Sequence, residues 1–294
     1  MHDASGYPTD RFCLAPHPHS EAPAFAIPAL ACDTHAHVIA DRHGDYPMSL
    51  QRSYTPPPAP EGEYLHMLDA TGMARGVLVQ ISVYGTDNRL MVESLRRHPD
   101  RLRGVAVVSP DVSDKELADL HVAGVRGLRL NILFGGGISL DAMERLAQRI
   151  GGSGWHLQLL LDARMLPGLM QRLTRLPCPV VIDHMGHMPV SDGLDAPGLA
   201  SLRTLLRDHD CWVKLSGAYR ISDEFPDFRD VVPLAHSLIA AAPDRCVWGS
   251  DWPHVALQQM PDTGRLLNAL PAWSPDPAQL HRILVDNPAR LYGF

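Results

Sequence analysis

Short runs of apolar and β-branched residues alternate along this chain with longer stretches whose apolar residues recur every three or four positions. The runs are 29–38 (ALACDTHAHV), 75–82 (RGVLVQIS), 102–108 (LRGVAVV), 125–131 (VRGLRLN), 155–161 (WHLQLLL), 179–185 (PVVIDHM), 211–217 (CWVKLSG) and 245–252 (RCVWGSDW). Each reads as a strand. Between the fourth and fifth, SLDAMERLAQRI puts Leu140, Met143, Leu146, Ala147 and Ile150 on one helical face behind Ser139 as N-cap. LASLRTLLRDHD does the same with Leu199, Leu202, Leu205 and Leu206, and EYLHMLDATG runs into Gly72, a residue suited to a helix C-terminus. Strands separated by such helices pair in parallel, because a hairpin turn leaves no room for a helix. Eight such units close a barrel, so the expected fold class is α/β, a single (β/α)8 TIM-like barrel. The open doubly wound sheet lacks support: no G-x-G-x-x-G loop follows the first strand, and FGGGIS after the fourth has no P-loop lysine.

The expected organisation is an N-terminal extension over 1–28 followed by the barrel over 29–294. After the first strand, the insert from about Asp41 to Gly62 contains SYTPPPAP. Proline withholds ladder hydrogen bonds and favours extended backbone, so this is read as a semi-rigid loop over the barrel mouth.

Net charge narrows the function classes. At -7, with a pI near 6.1, the chain lacks the basic field of a general nucleic-acid or membrane-surface binder. A few arginines could still form a local site for a small anion. The cysteines at 13, 32, 178, 211 and 246 show no C-x-x-C pair and are read as reduced and mostly buried. No basic segment followed by a continuous apolar core opens the chain, and no window approaches 18 uninterrupted apolar residues. The expected location is cytoplasmic, with no nucleic-acid or membrane partner; the sequence is compatible with a homo-oligomer.

Ionisable residues gather at the carboxyl ends of the apolar runs, where a parallel barrel keeps its chemistry. In CDTHAHV, the period of two sends His35 and His37 to one side, the barrel interior. His184 closes the sixth run and Asp251 the eighth. Barrel closure makes strand eight a neighbour of strand one, so Asp251 falls beside His35 and His37 while His184 approaches across the mouth. A lone histidine at a strand end is usually a satisfied structural group, whereas the joint pattern points to a functional cluster.

Through DTHAHV, VIDHMGH, VWGSDWPH and the terminal LVDNPARLYGF, residues 31–294 resemble the amidohydrolase superfamily, and most of all its branch with 2-pyrone-4,6-dicarboxylate hydrolase and related sugar-lactone and muconolactone enzymes. The resemblance implies His35, His37 and His184 as the conserved imidazoles and Asp251 as the general base. Many binuclear members carry a lysine or glutamate ending strand four and a histidine ending strand five. Here strand four ends RLN, and the only histidine of strand five, His156, stands at its start. One metal or none is therefore expected. No cofactor is preferred; the alternative is a single divalent ion, zinc or manganese, on His35, His37, His184 and Asp251.

Parity in VRGLRLN turns Leu128 and Leu130 toward the outer helices and Arg129 inward, where a guanidinium requires an anion or an internal acid such as Asp33. Arg220, just after strand seven, is the second candidate. By resemblance both hold substrate carboxylates, with a bidentate geometry that lysine would not reproduce. His187 stands where the branch usually has arginine, which implies either one anionic contact fewer than the pyrone enzyme makes or a more polar substrate. His254 is read as a substrate contact or a loop support, Tyr84 as a contact to an acidic group, Gln158 as a core hydrogen-bonding residue and Trp252 as packing.

The expected reaction is opening of a carboxylated lactone: Arg129 and Arg220 fix the acidic groups, the histidines orient the carbonyl, and Asp251 activates water. The substrate is expected to be a small anionic cyclic ester, pyrone-dicarboxylate-like or sugar-acid or muconolactone-like. The rivals are a single-metal decarboxylase, a lactone isomerase and, behind both, a non-enzymatic carboxylate-binding relative.

Overall fold

β1 (Cys32–Ala36), β2 (Arg75–Val79), β3 (Leu102–Ala106), β4 (Val125–Asn131), β5 (His156–Leu160), β6 (Val180–Ile182), β7 (Cys211–Leu215) and β8 (Cys246–Trp248) follow one another around a parallel sheet of eight strands in the computed structural model, which describes residues 12–42 and 44–294. The seam between β8 and β1 is closed by a parallel bridge from Ala36 to Trp252 and by the Thr34 hydroxyl, which donates to Trp248 O at 2.8 Å. The eight strand assignments and the barrel therefore stand.

Strands six and eight are shorter than the apolar runs that announced them. His184 (φ 51°) and Asp251 (φ 62°) adopt left-handed backbone just past the ladder. That conformation ends regular pairing and is costly for a residue with a Cβ, so surrounding contacts must hold it.

Helices α1 (Glu61–Ala70), α2 (Arg89–Arg97), α3 (Asp114–Val122), α4 (Met143–Ile150), α5 (Leu166–Leu173), α6 (Pro197–Asp208) and α7 (Val232–Ala241) fill the connections between strands. The expected faces are the buried ones: Met143, Leu146, Ala147 and Ile150 on α4, and Leu199, Leu202, Leu205 and Leu206 on α6. The first turn of SLDAMERLAQRI, Leu140–Ala142, is a tighter 3-10 turn that precedes α4, and Ser139 caps it by accepting from Asp141 N. Gly72 follows α1 at φ 73° against Ile27, where a side chain would be strained.

The proline-bearing insert lies over the ends of β2 and β4. The Tyr54 hydroxyl shares a hydrogen bond with Ser82 Oγ at 2.9 Å, Ser53 Oγ accepts from Gly135 N, and the Tyr54 ring meets Phe134 edge-on. The described part of the N-terminal extension runs along this loop and the segment after β8: Cys13 N donates to Thr55 O at 3.0 Å, Cys13 Sγ accepts from Ala256 N, and Glu21 N and Ala24 N bond the Asp262 and Asn268 side chains. Residues 1–11 of that extension lie outside the described residues. Among the described residues, no helix is long and apolar enough to cross a membrane.

Candidate active site

Alternation along β1 turns His35 and His37 to the same cluster, their rings 5.0 Å apart and edge to face. The loop after β6 brings in His184, whose ring lies 4.7 Å from that of His35. After β8, Asp251 N donates to His35 O, and His37 N donates to Trp252 O, both at 2.8 Å, so the backbone itself fixes the carboxylate against the two histidines. Asp251 Oδ1 stands 3.6 Å from His35 Nε2 and 3.5 Å from His37 Nε2, and its Oδ2 stands 3.8 Å from His184 Nε2. All four predicted residues thus meet in one buried cluster.

The two oxygens of Asp251 live in different surroundings. Oδ2 accepts from the Tyr219 hydroxyl at 2.6 Å and from Arg220, through Nε at 2.8 Å and Nη2 at 2.7 Å. Oδ1 is left facing His35 and His37. Burial alone would push the Asp251 carboxyl up, but Arg220, with help from the three histidines, outweighs it and holds the group well below the usual carboxylate range. Burial, with Lys214 adding to it, lowers His35 to about 3, and burial also carries His184 well below its ordinary value. His35 and His184 therefore stand as neutral imidazoles beside an ionised carboxylate at neutral pH.

Hydrogen bonds on the far side of each ring orient them. His37 Nδ1 faces Val79 O at 2.7 Å, so it carries the proton and leaves a lone pair on Nε2. His184 Nδ1 meets Ser216 Oγ at 2.9 Å. His35 Nδ1 faces the Lys214 ammonium at 3.3 Å, and His35 Nε2 is buried with no hydrogen-bond partner among the described residues.

The two arginines are inward and paired. Arg129, 4% exposed, reaches Asp183 Oδ2 through Nε and Nη2, both at 3.2 Å, and Gln158 Nε2 donates to the same oxygen at 3.1 Å. Its internal acid is thus Asp183 rather than Asp33, which instead accepts from Ser250 N, Ser250 Oγ and the Tyr64 hydroxyl. Arg220 engages Asp251 and, more weakly, Val255 O. The remaining predicted contacts divide. His187 is held at φ 51°, with its ring 6.3 Å from that of His184 and its buried Nε2 unpartnered among the described residues. His254 joins Tyr219 through Nδ1 at 3.1 Å and Thr263 through Nε2 at 2.8 Å. The Tyr84 hydroxyl accepts from Ala40 N at 3.1 Å, which ties it to the backbone after β1. His156 is buried at the start of β5, away from the mouth, and its ring meets Tyr292 edge-on.

Three members of the cluster escaped the sequence reading. Asp183 sits one residue before His184, Lys214 lies fully buried in the middle of β7, and Tyr219 precedes Arg220. The signal for Asp183 and Lys214 was present, since a lone charge inside an apolar strand is rarely buried without partners. Tyr219 carried no comparable mark.

The donors also bear on a metal. Atoms of His35, His184 and Asp251 lie within 4.8 Å of one another, and the unpartnered Nε2 of His35 is an atom that an ion would satisfy. The spacing of these three donors suits one ion.

Residues 32–294 match the amidohydrolase family. The chain is 38% identical to a 4-sulfomuconolactone hydrolase of Hydrogenophaga intermedia over 96% of its length and 94% of that protein's. It is 39% identical to a 2-pyrone-4,6-dicarboxylate hydrolase of Comamonas testosteroni over 92% of each chain. Among solved structures, an apo protein of Agrobacterium tumefaciens superposes with a TM-score of 0.85 at 29% identity, covering 93% of this chain and 99% of the other. A closed parallel barrel carrying this cluster, matched along nearly its whole length, belongs to the amidohydrolase family.

Proposed function

We propose that the chain is a hydrolase that opens a lactone bearing an acidic group, with Asp251 as the base that activates water. Relatives named as hydrolases of a muconolactone and of a pyrone dicarboxylate support this reading. The observation that carries it is the division of labour on Asp251: Tyr219 and Arg220 saturate Oδ2, and Oδ1 faces the histidines. Oδ1 and the lone pair of His37 Nε2, 3.5 Å apart, form two adjacent acceptors suited to a water that donates one O–H to each.

In the proposed reaction the water oxygen attacks the lactone carbonyl as its proton passes to Asp251 Oδ1. The carbonyl electron pair moves to oxygen, where imidazole N–H groups stabilise it. The ring C–O bond then breaks, Asp251 returns its proton to the leaving alkoxide, and the product is a hydroxy acid. An aspartate this acidic is a weak base, so the prearranged donors and the exclusion of water must offset the deficit. A divalent ion would be held by His35, His184 and Asp251 and would supply Lewis-acid polarisation of the carbonyl. We favour action without one, since base, acceptors and donors are all supplied by side chains.

Arg129 and Arg220 are the proposed partners of the substrate's acidic group. A guanidinium has five N–H donors, and Arg220 directs only Nε and Nη2 at protein acceptors among the described residues. His187, with its unpartnered Nε2, is the best placed of the further contacts. His254 and Tyr84 support the site through Tyr219 and Ala40.

The test is a panel of carboxylated and sulfonated lactones with mass analysis of products. The reading expects a product heavier by one water. An isomer of unchanged mass, or loss of carbon dioxide, would replace it with lactone isomerisation or decarboxylation. Tight binding of every acid without turnover would make the chain a binding protein.

A further inference from the structure

We propose that Lys214 is a positioning residue that fixes the His35 proton on Nε2, which makes this imidazole a hydrogen-bond donor and holds the affinity of the cluster for a metal ion low. The tautomer stands apart from the reaction; only its use toward a lactone carbonyl rests on the reading above.

Lys214 is fully buried in β7, and its Nζ lies 2.8 Å from Thr34 O, 3.3 Å from His35 Nδ1 and 3.9 Å from Asp183 Oδ1. An ammonium group has three N–H donors and no lone pair, so the ring nitrogen that faces it can pair with it only as an acceptor. A neutral imidazole whose Nδ1 accepts carries its proton on Nε2. The contrast with His37 is direct. Its Nδ1 faces a carbonyl oxygen at 2.7 Å and must donate, leaving the Nε2 lone pair that a metal requires. His184 faces a serine hydroxyl, which can donate or accept. Lys214 thus places His35 in the one tautomer that cannot ligate through Nε2, although His35 is a member of the clustered donor set.

Metal binding at His35 Nε2 would move the proton to Nδ1, N–H against N–H across 3.3 Å from Lys214. It would also add positive charge beside the buried Lys214, Arg129 and Arg220. A second acceptor shows what would follow without the lysine. Asp183 Oδ1 lies at the same 3.3 Å from His35 Nδ1 and would accept from that nitrogen in the other tautomer. With Lys214 gone, Nδ1–H can turn to Asp183, the arrangement in which a carboxylate orients a metal-ligating histidine.

The experiment compares the parent and Lys214→Met, both stripped with chelator, by calorimetric titration with zinc. The expected result is zinc binding at one equivalent in the variant, at least tenfold tighter than in the parent. Equal or weaker binding by a folded variant overturns the proposal. The parent supplies a second readout that does not depend on the variant folding: histidine 15N resonances, with His35 assigned by its absence in His35→Gln. The proposal expects a protonated Nε2 and a lone-pair Nδ1, and a protonated Nδ1 refutes it. Neither readout uses turnover, so a protein that opens no lactone would overturn the hydrolase reading and leave this one to stand or fall on its own.

Discussion

Two sets of side chains fill the same eight strands. One is an apolar plug of Cys32, Val77, Val105, Val181, Trp212 and Val247, sealed by Leu291 and Tyr292 from the C-terminal helix Asn287–Tyr292. The other is the charged cluster of Arg129, Asp183, Lys214, Arg220 and Asp251 with its histidines. Both are buried, and they obey opposite rules. In the plug each side chain stabilises by the area it removes from water, and one lost neighbour costs only its own packing. In the cluster every charge is costly until its partner arrives, so removing one member strands another. The plug is local in its failures, and the cluster fails as a unit.

The sharpest break in that comparison is Asp251→Asn. It removes the proposed base and the counter-charge of Arg220 together, so turnover should fall by about 10²–10⁴-fold while the fold is kept at a lowered Tm. Steady-state kinetics with a thermal melt checks this, and near-parental turnover would remove Asp251 from the mechanism. Next is Arg129→Met, which leaves Asp183 short of a cation deep in the barrel. Denaturant titration should show a loss of about 3–5 kcal/mol. Leu291→Ala, in the plug, should cost a similar amount, about 2–5 kcal/mol, by opening a cavity. The two differ in kinetics: the plug variant keeps its turnover below its melting range, and the Arg129 variant does not. Equal losses of turnover would mean that the two regions are not separable.

Acid should reveal the same division. Burial holds His35, His156 and His254 near 3, and His187 near 4, against an ordinary 6.5. Below about pH 6.5 the unfolded chain takes up protons on these rings while the folded chain does not, so stability falls with pH through that window. Each ring contributes at most about 1.4 kcal/mol per pH unit. Asp33 opposes them: burial raises its carboxyl from 3.8 to about 6, so the folded state gains stability as pH falls between those values. The histidines outnumber it, and melts between pH 7 and 4 should show a net decline; a flat profile would mean that the rings are hydrated. The smallest effect belongs to neither region. Ser113 caps α3 at the surface by accepting from Glu116 N, and Ser113→Ala should cost about 1 kcal/mol with no change in kinetics.

The plug and the strand order were legible because apolar periodicity is local information, and the helical faces of α4 and α6 followed from it. The inward turn of Arg129 was legible by the same parity. The partners of the charges were not. Asp183, just after β6, serves Arg129 on β4, and Lys214 on β7 serves His35 on β1, each across an intervening strand and far apart in sequence. The early ends of β6 and β8 were hidden for a related reason: left-handed backbone at His184 and Asp251 is imposed by contacts from other strands and leaves no trace in residues that still look β-like.

The central claim is that water, activated at Asp251, becomes part of the product. Turnover of an accepted lactone in ¹⁸O-labelled water tests it most directly. The account predicts one labelled oxygen in the newly formed carboxylate, with labelled product forming about 10²–10⁴-fold more slowly when Asp251→Asn replaces the parent. A product that carries no label and keeps the mass of its substrate would contradict it.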